Sequence, residues 1–381
     1  MVLSVVIGVE APFCALMGHA TGHPAPFWLL AAVLTGAFLF TTFTGGRNVW
    51  GAPGRVRLYL VLWPFFAWWT LSLVFSVLAP LAYLAGRLAH APSGEVWGVA
   101  FGLAVAGTLL AFRGRPRIRR HEIAIPGLPE AFDGFRVAQI SDLHCGPFAS
   151  GARVDGWVAE VNALGADLVA VTGDLIASGP SFVPVVAAAL GKLRGRDGVV
   201  ACMGNHDYFT EGEIMVHALE RAGLTLLRNR GIELRRGDAT LYVAGVDDTW
   251  TGRDDLDEAL AGRPAQAPVL LLAHDPALFP DAAARAVALT LSGHTHGGQL
   301  GVPLLAKRIN LARVMTPFTT GLYQIGQATL YVNRGLGTTG MPIRLSVPPE
   351  IAVITLRRAP ATAAAAAPQA TSPVSEGLQP A

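Results

Sequence analysis

The hydrophobic residues of this chain are concentrated before residue 113. Three segments there, residues 26–44, 58–79 and 96–112, are apolar over about 20 residues, the length of helix that crosses a bilayer. A shorter apolar segment, residues 2–17, contains Glu10. We therefore predict a membrane region of three or four transmembrane helices over residues 1–112. A signal peptide is the alternative for the first segment, but that segment lacks a basic start and further apolar segments follow it.

From residue 122 the pattern changes to short apolar runs that alternate with helical segments, which is typical of an α/β domain. The predicted strands are residues 135–140, 168–171, 199–202, 241–246, 269–273, 288–291, 329–332 and 351–356. The predicted helices are residues 152–164, 183–193, 211–222, 254–261 and 276–286. We therefore predict one folded α/β domain over residues 122–358.

The end of the chain has a different composition from the predicted α/β domain. Residues 359–381 consist largely of alanine, proline, serine and glutamine. This composition lacks the bulky apolar side chains that would offset the entropy cost of ordering the chain. We predict a disordered tail over these residues.

The overall composition supports a membrane protein and excludes little else. Hydrophobic residues make up 52% of the chain and charged residues 15%, which is more apolar than a typical soluble protein. A net charge of +2 gives no strong electrostatic argument for nucleic acid as a partner, and we expect none. Three scattered cysteines are too few for a disulfide framework, which favours a reducing compartment or indifference to redox conditions.

The loop charges predict the orientation of the membrane segments. Arg47, Arg55 and Arg57 lie between the second and third segments, whereas Arg87 and Glu95 lie between the third and fourth. A run of five arginines follows the fourth segment. Because loops rich in arginine and lysine stay in the cytoplasm, we predict a multi-pass protein of the inner or cell membrane. Both termini and the α/β domain are then expected on the cytoplasmic side.

The basic run RGRPRIRR begins at Arg113 and ends at Arg120, and we assign residues 113–121 to a basic juxtamembrane linker. Such a run can bind RNA or DNA. Directly after a membrane segment, contact with anionic lipid headgroups is the favoured interpretation.

Polar residues that bind metals or move protons follow the predicted strands at their carboxyl ends. The candidates are Asp142, His144, Asp174, Asn205, His206, Asp207, His274, His294 and His296. Ligands of open α/β sheets gather at the carboxyl ends of strands, so these side chains can converge although they are far apart in sequence. The last two histidines are separated by one residue at a strand end, a spacing that places both rings on the same side.

The donor types predict a site for two metal ions. Two aspartates, one asparagine and four histidines, without a required thiolate, suit divalent ions such as Mn, Fe, Zn or Mg. These donors are too many for one tetrahedral site. They suit two neighbouring ions bridged by one carboxylate and one water or hydroxide, which generates a nucleophile near neutral pH and holds a phosphoryl oxygen. Any one of these histidines alone is more often a core or surface residue, but their joint occurrence in this order favours a site.

The order of these motifs resembles that of a known family. Asp142-Leu143-His144, Gly173-Asp174, Gly204-Asn205-His206-Asp207, His274 and Gly293-His294-Thr295-His296 resemble the five motifs of calcineurin-like metallophosphoesterases. The motif GHTHGGQ, with the later NRGLG and PPE, is similar to a bacterial subgroup that includes membrane-associated phosphodiesterases. The resemblance covers roughly residues 134–356 and excludes the membrane region. It implies a four-layer αββα sandwich in which two mixed sheets lie between helices.

The resemblance also implies a role for each motif residue. One metal ion would be held by Asp142, His144 and His296. The other would be held by Asn205, His274 and His294, with Asp174 bridging both ions. His206 would stabilise the transition state or protonate the leaving oxygen, oriented by Asp207; imidazole suits general acid chemistry because it titrates near the working pH.

The sequence departs from the family pattern in one motif. The family usually has the pattern GDxxD, and here the last position is Ala177. Because that aspartate normally supports the metal ligands, its loss is expected to loosen a loop or weaken metal affinity without abolishing the site. Cys145, beside His144, is either a soft metal ligand or a small packed side chain, and we favour packing.

Four further charged residues are candidates for substrate contacts. Asp247 and Asp248 either line the substrate pocket or only end the strand before them. Arg334 and Arg344 are candidates to contact a substrate phosphate, a group that arginine binds well.

Together these observations lead to a main hypothesis and two alternatives. The main hypothesis is a membrane-anchored dimetal phosphoesterase that hydrolyses a phosphodiester or pyrophosphate bond by attack of a metal-bridging hydroxide. Its membrane region favours a lipid or nucleotide-linked lipid substrate. The first alternative is a phosphomonoesterase acting on a nucleotide or phosphoprotein. The second is a membrane sensor that binds metal without catalysis.

Overall fold

The computed structural model describes residues 2–44, 57–112, 114–177, 179–209, 212–302 and 305–359. Arg47, Arg55 and Arg113, and residues 360–381 of the predicted tail, lie outside the described residues. The division of the chain into domains at residues 112, 121 and 358 stays a prediction.

The N-terminal part of the chain forms long apolar helices. They are α1 (Val2–Thr21), α2 (Ala25–Thr44), α3 (Trp63–Leu88, preceded by a π-helical turn at Leu58–Leu62) and α4 (Ser93–Phe112). Four helical segments in the described part of the chain are long and apolar enough to cross a membrane. The first segment, for which a signal peptide was the alternative, is thus one of four candidate spans. The third is longer than residues 58–79 because its helix continues through Pro80.

The carboxyl group of Glu10, within α1, is hydrogen-bonded to a residue of a neighbouring helix. The hydroxyl of Thr35 in α2 lies 3.0 and 2.9 Å from the two carboxyl oxygens of Glu10, and both residues are buried. A buried polar group that has a partner is far less costly than one that lacks it. This contact explains how α1 accommodates a carboxyl group in an apolar segment.

We expect Thr35→Val to lower the free energy of unfolding by about 1–3 kcal/mol, because it leaves the Glu10 carboxyl without this partner. The matched control is Thr42→Val in the same helix, since the Thr42 hydroxyl donates to the carbonyl of Phe38 one turn earlier. Unfolding of the two variants by dodecyl sulfate in the same mixed micelles measures the difference. Equal stability of both would contradict a role for the Glu10–Thr35 contact.

The α/β part of the chain contains two six-stranded sheets. The strands are β1 (Arg117–Ile125), β2 (Arg136–Ile140), β3 (Leu168–Thr172), β4 (Val199–Cys202), β5 (Thr225–Leu226), β6 (Arg230–Arg236), β7 (Ala239–Gly245), β8 (Val269–Leu272), β9 (Leu289–Ser292), β10 (Gly321–Ile325), β11 (Ala328–Val332) and β12 (Glu350–Arg358). The first sheet has the order β1-β12-β2-β3-β4-β5 and the second has the order β10-β11-β9-β8-β7-β6. Both sheets are mixed, since β12 is antiparallel to β2, and β10 and β6 are antiparallel to their neighbours.

The two sheets pack face to face between helices. The helices are α5 (Gly151–Ala163), α6 (Val183–Leu190), α7 (Gly212–Arg221), α8 (Leu256–Ala261) and α9 (Phe279–Ala284). Inward side chains of the two sheets, such as Val137 and Leu270, share one buried cluster. Helices α5 to α7 cover the outer face of the first sheet, and α8 and α9 cover that of the second. This arrangement confirms the expected αββα sandwich.

All the predicted strands form. The sequence patterns missed four others, β1, β5, β6 and β10, for physical reasons. β1 includes Arg117 to His121 of the predicted basic linker, and it pairs in parallel with β12. Edge strands β6 and β10 carry many exposed residues, and β5 has only two residues. Edge strands bury little surface and tolerate charge, so their apolar alternation is weak.

The α/β domain packs directly against the N-terminal apolar helices. The backbone amide of Arg344 donates to the carbonyl of Ala111 in α4 at 3.0 Å. The Phe148 ring lies 5.4 Å from Trp63 and 5.8 Å from Phe66, both in α3. Ile343 belongs to the same buried cluster as Phe66 and Ala111. The sandwich and the helices therefore share an apolar contact surface.

Candidate metal centre

The predicted ligands come from the carboxyl ends of five strands in both sheets. Asp142 and His144 follow β2, Asp174 follows β3 and Asn205 follows β4, all in parallel strands of the first sheet. His274 follows β8, while His294 and His296 follow the parallel strand β9 of the second sheet. Face-to-face packing of the sheets brings these ends together, so one site collects donors from both.

One group of donors consists of Asp142, His144, Asp174 and His296, whose ligand atoms lie within 4.8 Å of one another. The Nε2 atoms of His144 and His296 are 2.9 Å apart. Nε2 of His296 is 3.4 Å from Oδ1 of Asp142, and Nε2 of His144 is 3.5 Å from Oδ2 of Asp174. All four residues are buried.

A second group consists of Asp174, His274 and His294, again with ligand atoms within 4.8 Å. Nε2 of His274 is 3.3 Å from Oδ2 of Asp174 and 3.3 Å from Nδ1 of His294. Oδ1 of Asn205 lies 3.1 Å from Nδ1 of His294, so the amide oxygen belongs to the same group. Nδ1 of His274 donates to the carbonyl oxygen of Thr172 at 2.7 Å, which directs Nε2 toward the other donors.

Asp174 is the residue that the two groups share. The same oxygen, Oδ2, approaches His144 of one group and His274 of the other. The other oxygen, Oδ1, accepts from the backbone amide of His206 at 2.9 Å. One carboxylate thus lies between two clusters of ligand atoms.

The backbone is strained where these donors enter the site. The non-glycine residues with positive φ include Asp142, His144, Asp174, His294 and His296, with φ between 43° and 68°. This left-handed conformation is uncommon outside glycine and typically persists at functional sites, where the surrounding structure imposes it. Its occurrence at five of the seven predicted ligands supports a site shaped for binding.

The electrostatics of the cluster fit divalent cations. Burial raises the pKa of Asp142 to about 7 and lowers the pKa of His144 to about 3. For His274, burial lowers the pKa, but the attraction of Asp174 and Asp142 together with the hydrogen bonds to Asp174 and Thr172 outweighs burial and raises the pKa to about 10. Several lone pairs thus converge in a space where isolated charges are disfavoured. Divalent ions satisfy such a set of buried carboxylate, amide and imidazole donors.

His206 and Asp207 differ in their surroundings from what the resemblance implied. Nδ1 of His206 lies 2.8 Å from the carbonyl oxygen of Ala177, which orients the ring in place of the expected Asp207 carboxylate. Asp207 instead accepts hydrogen bonds from the backbone amides of Asp174, Leu175, Ile176 and Gly204 at 2.8–3.3 Å. It therefore fixes the loop that carries the shared Asp174. Ala177, the position of the family departure, contributes through its backbone, which any residue type supplies.

We expect Asp207→Asn to weaken metal binding by about 10–100-fold, because an amide NH₂ group would face backbone N–H donors of the Asp174 loop. Titration of the purified protein with Mn²⁺ measures the change. The control is Asp197→Asn, since Asp197 pairs with Arg236 at the surface. Unchanged affinity in Asp207→Asn would show that this carboxylate does not support the site.

Three other candidate residues near the site, Cys145, Asp247 and Asp248, pack or hydrogen-bond within the protein. Cys145 is buried in the core beside α5 and α6, as we favoured. Asp247 accepts from the Tyr208 hydroxyl at 2.6 Å and from Arg228 at 2.8 Å. Asp248 accepts from the amide of Thr251 at the start of the turn that follows β7. The strand-ending alternative for these two aspartates therefore describes them better.

Neither candidate phosphate-binding arginine faces a substrate site. Arg344 is buried, and its guanidinium donates to backbone carbonyls that include those of Gly337 and Arg334. It also lies 3.2 Å from Nδ1 of His296. Arg334 donates to the Thr320 hydroxyl and lies 3.5 Å from Glu350. Both guanidinium groups hold loops together, and neither arginine is among the residues that line the two cavities at the ligand cluster.

Two cavities meet at the ligand cluster. A cavity of about 500 Å³ includes Asp174, Asn205, His206 and His294 in its wall, and its other walls are largely apolar. A second cavity of about 280 Å³ is lined by His144, His206 and Ala177 among others. His206 thus stands between the two cavities.

Sequence reasoning missed the apolar residues of these walls. They are Phe209, Trp250, Leu311, Met315 and Met341. Phe209 and Trp250 are 58% and 56% exposed, although they are large and apolar. The Trp250 ring lies 5.1 Å from the His294 ring, and its Nε1 donates to Asp275 at 3.0 Å. Exposed aromatic residues next to motif residues were the available signal, whereas the position of Met341 depends on tertiary packing.

The comparisons with known proteins agree with this geometry. A family model described as calcineurin-like phosphoesterase matches residues 135–298. An uncharacterized metallophosphoesterase from Bacillus subtilis (strain 168), YkuE, is 33% identical over 280 residues, which cover 68% of this chain and 94% of that protein. The chain belongs to the calcineurin-like phosphoesterase family. The resemblance noted in the motifs is therefore confirmed.

The names of two animal relatives of this chain describe a transmembrane protein with a metallophosphoesterase domain. A transmembrane protein with metallophosphoesterase domain from Danio rerio is 35% identical over 271 residues, which cover 68% of this chain. The chain spans about 61% of the length of the Danio rerio and Bos taurus relatives. Family membership supports metal-dependent hydrolysis of a phosphoester, and the buried aspartate and histidine cluster is able to bind divalent metal.

Proposed function

We propose that the protein is a membrane-anchored phosphoesterase that hydrolyses a phosphodiester or pyrophosphate bond at a site for two divalent ions. The observation that carries the proposal is the shared position of Asp174 between two groups of buried donors, at the wall of a cavity. Two ions held there would lower the pKa of a water molecule and neutralise charge on the phosphoryl oxygens. In the reaction, water adds OH to phosphorus, the P–O bond to the leaving group breaks, and the leaving oxygen gains a proton.

The roles of the side chains follow from their places around the cavities. Asp142, His144 and His296 would hold one ion, and Asn205, His274 and His294 the other, with Asp174 between them. His206 is partly exposed between both cavities, so its ring is free to meet the phosphoryl group or the leaving oxygen. With Nδ1 directed to the Ala177 carbonyl, Nε2 is the atom available to donate a proton.

The two cavities favour a diester over a monoester. A phosphodiester or pyrophosphate carries a substituent on each side of the reacting phosphorus, and the two spaces of about 500 and 280 Å³ both have His206 in their walls. A monoester would occupy only one of them. The apolar lining of the larger space also differs from the charged pocket that a monoester dianion favours.

We expect bis(p-nitrophenyl) phosphate to be cleaved with a kcat/KM at least about tenfold higher than that of p-nitrophenyl phosphate, in the presence of Mn²⁺. The reason is that the second aryl group of the diester can occupy the second of the two cavities. Initial rates with both substrates on the full chain measure the ratio. A ratio below one would instead favour the phosphomonoesterase alternative, and no hydrolysis of either with a full metal content would favour the sensor.

We further propose that the catalytic domain faces the cytoplasm. The C-terminal end of α2 and the N-terminal end of α3 lie on the same side as the end of α4 that leads to β1, because successive helices run in opposite directions. Arg57 and the arginines of β1 lie on this side. A cytoplasmic location satisfies the preference of basic loops. A reporter fused after Gln379 is expected to be active only inside the cytoplasm, and activity confined to the outside would reverse the orientation without changing the chemistry.

A further inference from the structure

A third cavity, which the proposed function does not use, lies between the membrane helices and the catalytic domain. This groove has a volume of about 220 Å³. It is lined by Val5, Val6, Phe38, Phe65, Phe66, Trp69 and Met341. Every side chain in this wall is apolar, and six of the seven belong to membrane helices. Its lining therefore suits a hydrocarbon chain.

The groove lies at one end of the helix bundle. Val5 and Val6 are near the start of α1, Phe38 is near the end of α2, and Phe65 and Phe66 are near the start of α3. With alternating helix directions these positions share one end of the bundle, which is also the end where α4 leads into β1. The groove is thus at the depth of the membrane leaflet closest to the catalytic domain, where lipid chains begin.

Met341 connects this groove to the metal centre. The same residue lines the groove and the cavity of about 500 Å³ that contains Asp174 and His206. It is partly buried and packs against the cluster that joins the sandwich to α3. The neighbouring Thr339 and Gly340 line both cavities at His206. A molecule with a polar head and an apolar tail could therefore place its head among the donors and its tail past Met341.

We propose that the substrate is a membrane-lipid phosphoester whose hydrocarbon chain occupies this groove while its phosphoryl group lies at the metal centre. The inference rests on the proposed function, which it narrows to an amphiphilic substrate that enters from the adjacent leaflet. Leu311 and Met315 make part of the wall of the cavity at the metal centre apolar, as the wall of the groove is. A soluble phosphoester has no hydrocarbon chain to place in the groove, so bulk lipid would fill it.

The test compares two chromogenic diesters, methyl p-nitrophenyl phosphate and octyl p-nitrophenyl phosphate, on the full chain in lipid nanodiscs with Mn²⁺. Both release the same leaving group, so they differ in chain length alone. We expect the kcat/KM of the octyl ester to exceed that of the methyl ester by at least about tenfold, since each buried methylene adds to binding. Comparable values for a cleaved methyl ester and octyl ester would overturn the inference and leave the proposed function intact. Failure to cleave either ester would overturn the proposed function.

A pair of tryptophan variants separates the groove from simple partition of the octyl ester into the bilayer. Val5→Trp fills the groove from an exposed position (56%), whereas Val33→Trp adds the same ring to a lipid-facing position of α2 (57%) that is absent from the groove lining. We expect Val5→Trp to lower the octyl-to-methyl ratio by at least about threefold and Val33→Trp to preserve it. A ratio that Val5→Trp leaves unchanged would show that the chain binds elsewhere. The wild-type ratio tests the inference even if Val5→Trp does not fold.

Discussion

Replacing Asp174 by alanine is expected to reduce kcat for bis(p-nitrophenyl) phosphate by about 10³-fold or more. Oδ2 of Asp174 lies 3.5 Å from a ring nitrogen of one donor group and 3.3 Å from a ring nitrogen of the other. Its loss therefore removes a ligand from both groups at once. If each ion had its own separate set of ligands, the loss of one ligand would affect one ion and leave the other in place.

The measurement for Asp174→Ala is a steady-state rate together with the metal content of the same preparation. Asp238→Ala is the control, because Asp238 is an exposed residue in the turn between β6 and β7. We expect this control to retain the wild-type rate and metal content. Wild-type hydrolysis by Asp174→Ala would contradict the shared-carboxylate arrangement.

Replacing His206 by alanine is expected to lower kcat by about 10²–10⁴-fold while both metal ions remain bound. The ring of His206 lies between the two cavities, and its Nδ1 is held by the Ala177 carbonyl instead of belonging to either donor group. The variant therefore removes a proton donor or a transition-state contact without removing a ligand. Retained metal is what separates this variant from Asp174→Ala.

The choice between the two roles of His206 depends on the leaving group. If His206 protonates the leaving oxygen, His206→Ala loses more activity with an alkoxide leaving group than with p-nitrophenolate, which needs no proton. A role in stabilising charge on the phosphoryl oxygens predicts equal losses. The control is His217→Ala, an exposed histidine on α7. Full activity of His206→Ala on both kinds of substrate would remove this residue from the mechanism.

The candidate ligands could be predicted from sequence because each follows a buried apolar strand. Strands β2, β3 and β4 are buried along nearly their whole length, and such runs are easily identified. Their parallel arrangement then places the polar residues at one edge. The pairing of the two sheets was an expectation of the family resemblance, since short motifs alone do not specify which sheet faces which.

The supporting contacts of the site were not predictable from the same patterns. The four amides bound by Asp207 come from two loops, and the guanidinium of Arg344 reaches carbonyls on separate turns. Such contacts depend on the folded path of loops, which have no periodicity. The same applies to Met341, whose position between two cavities follows from the packing of the sandwich on α3.

Two neighbouring divalent ions are expected to bind around Asp174, and electron paramagnetic resonance of the Mn²⁺-loaded protein tests this most directly. Elemental analysis is expected to give two ions per chain, and the spectrum is expected to be that of an exchange-coupled pair. Asp174→Ala is expected to lose that coupled spectrum. A single uncoupled six-line spectrum, or fewer than one ion per chain after saturation with Mn²⁺, would contradict this expectation.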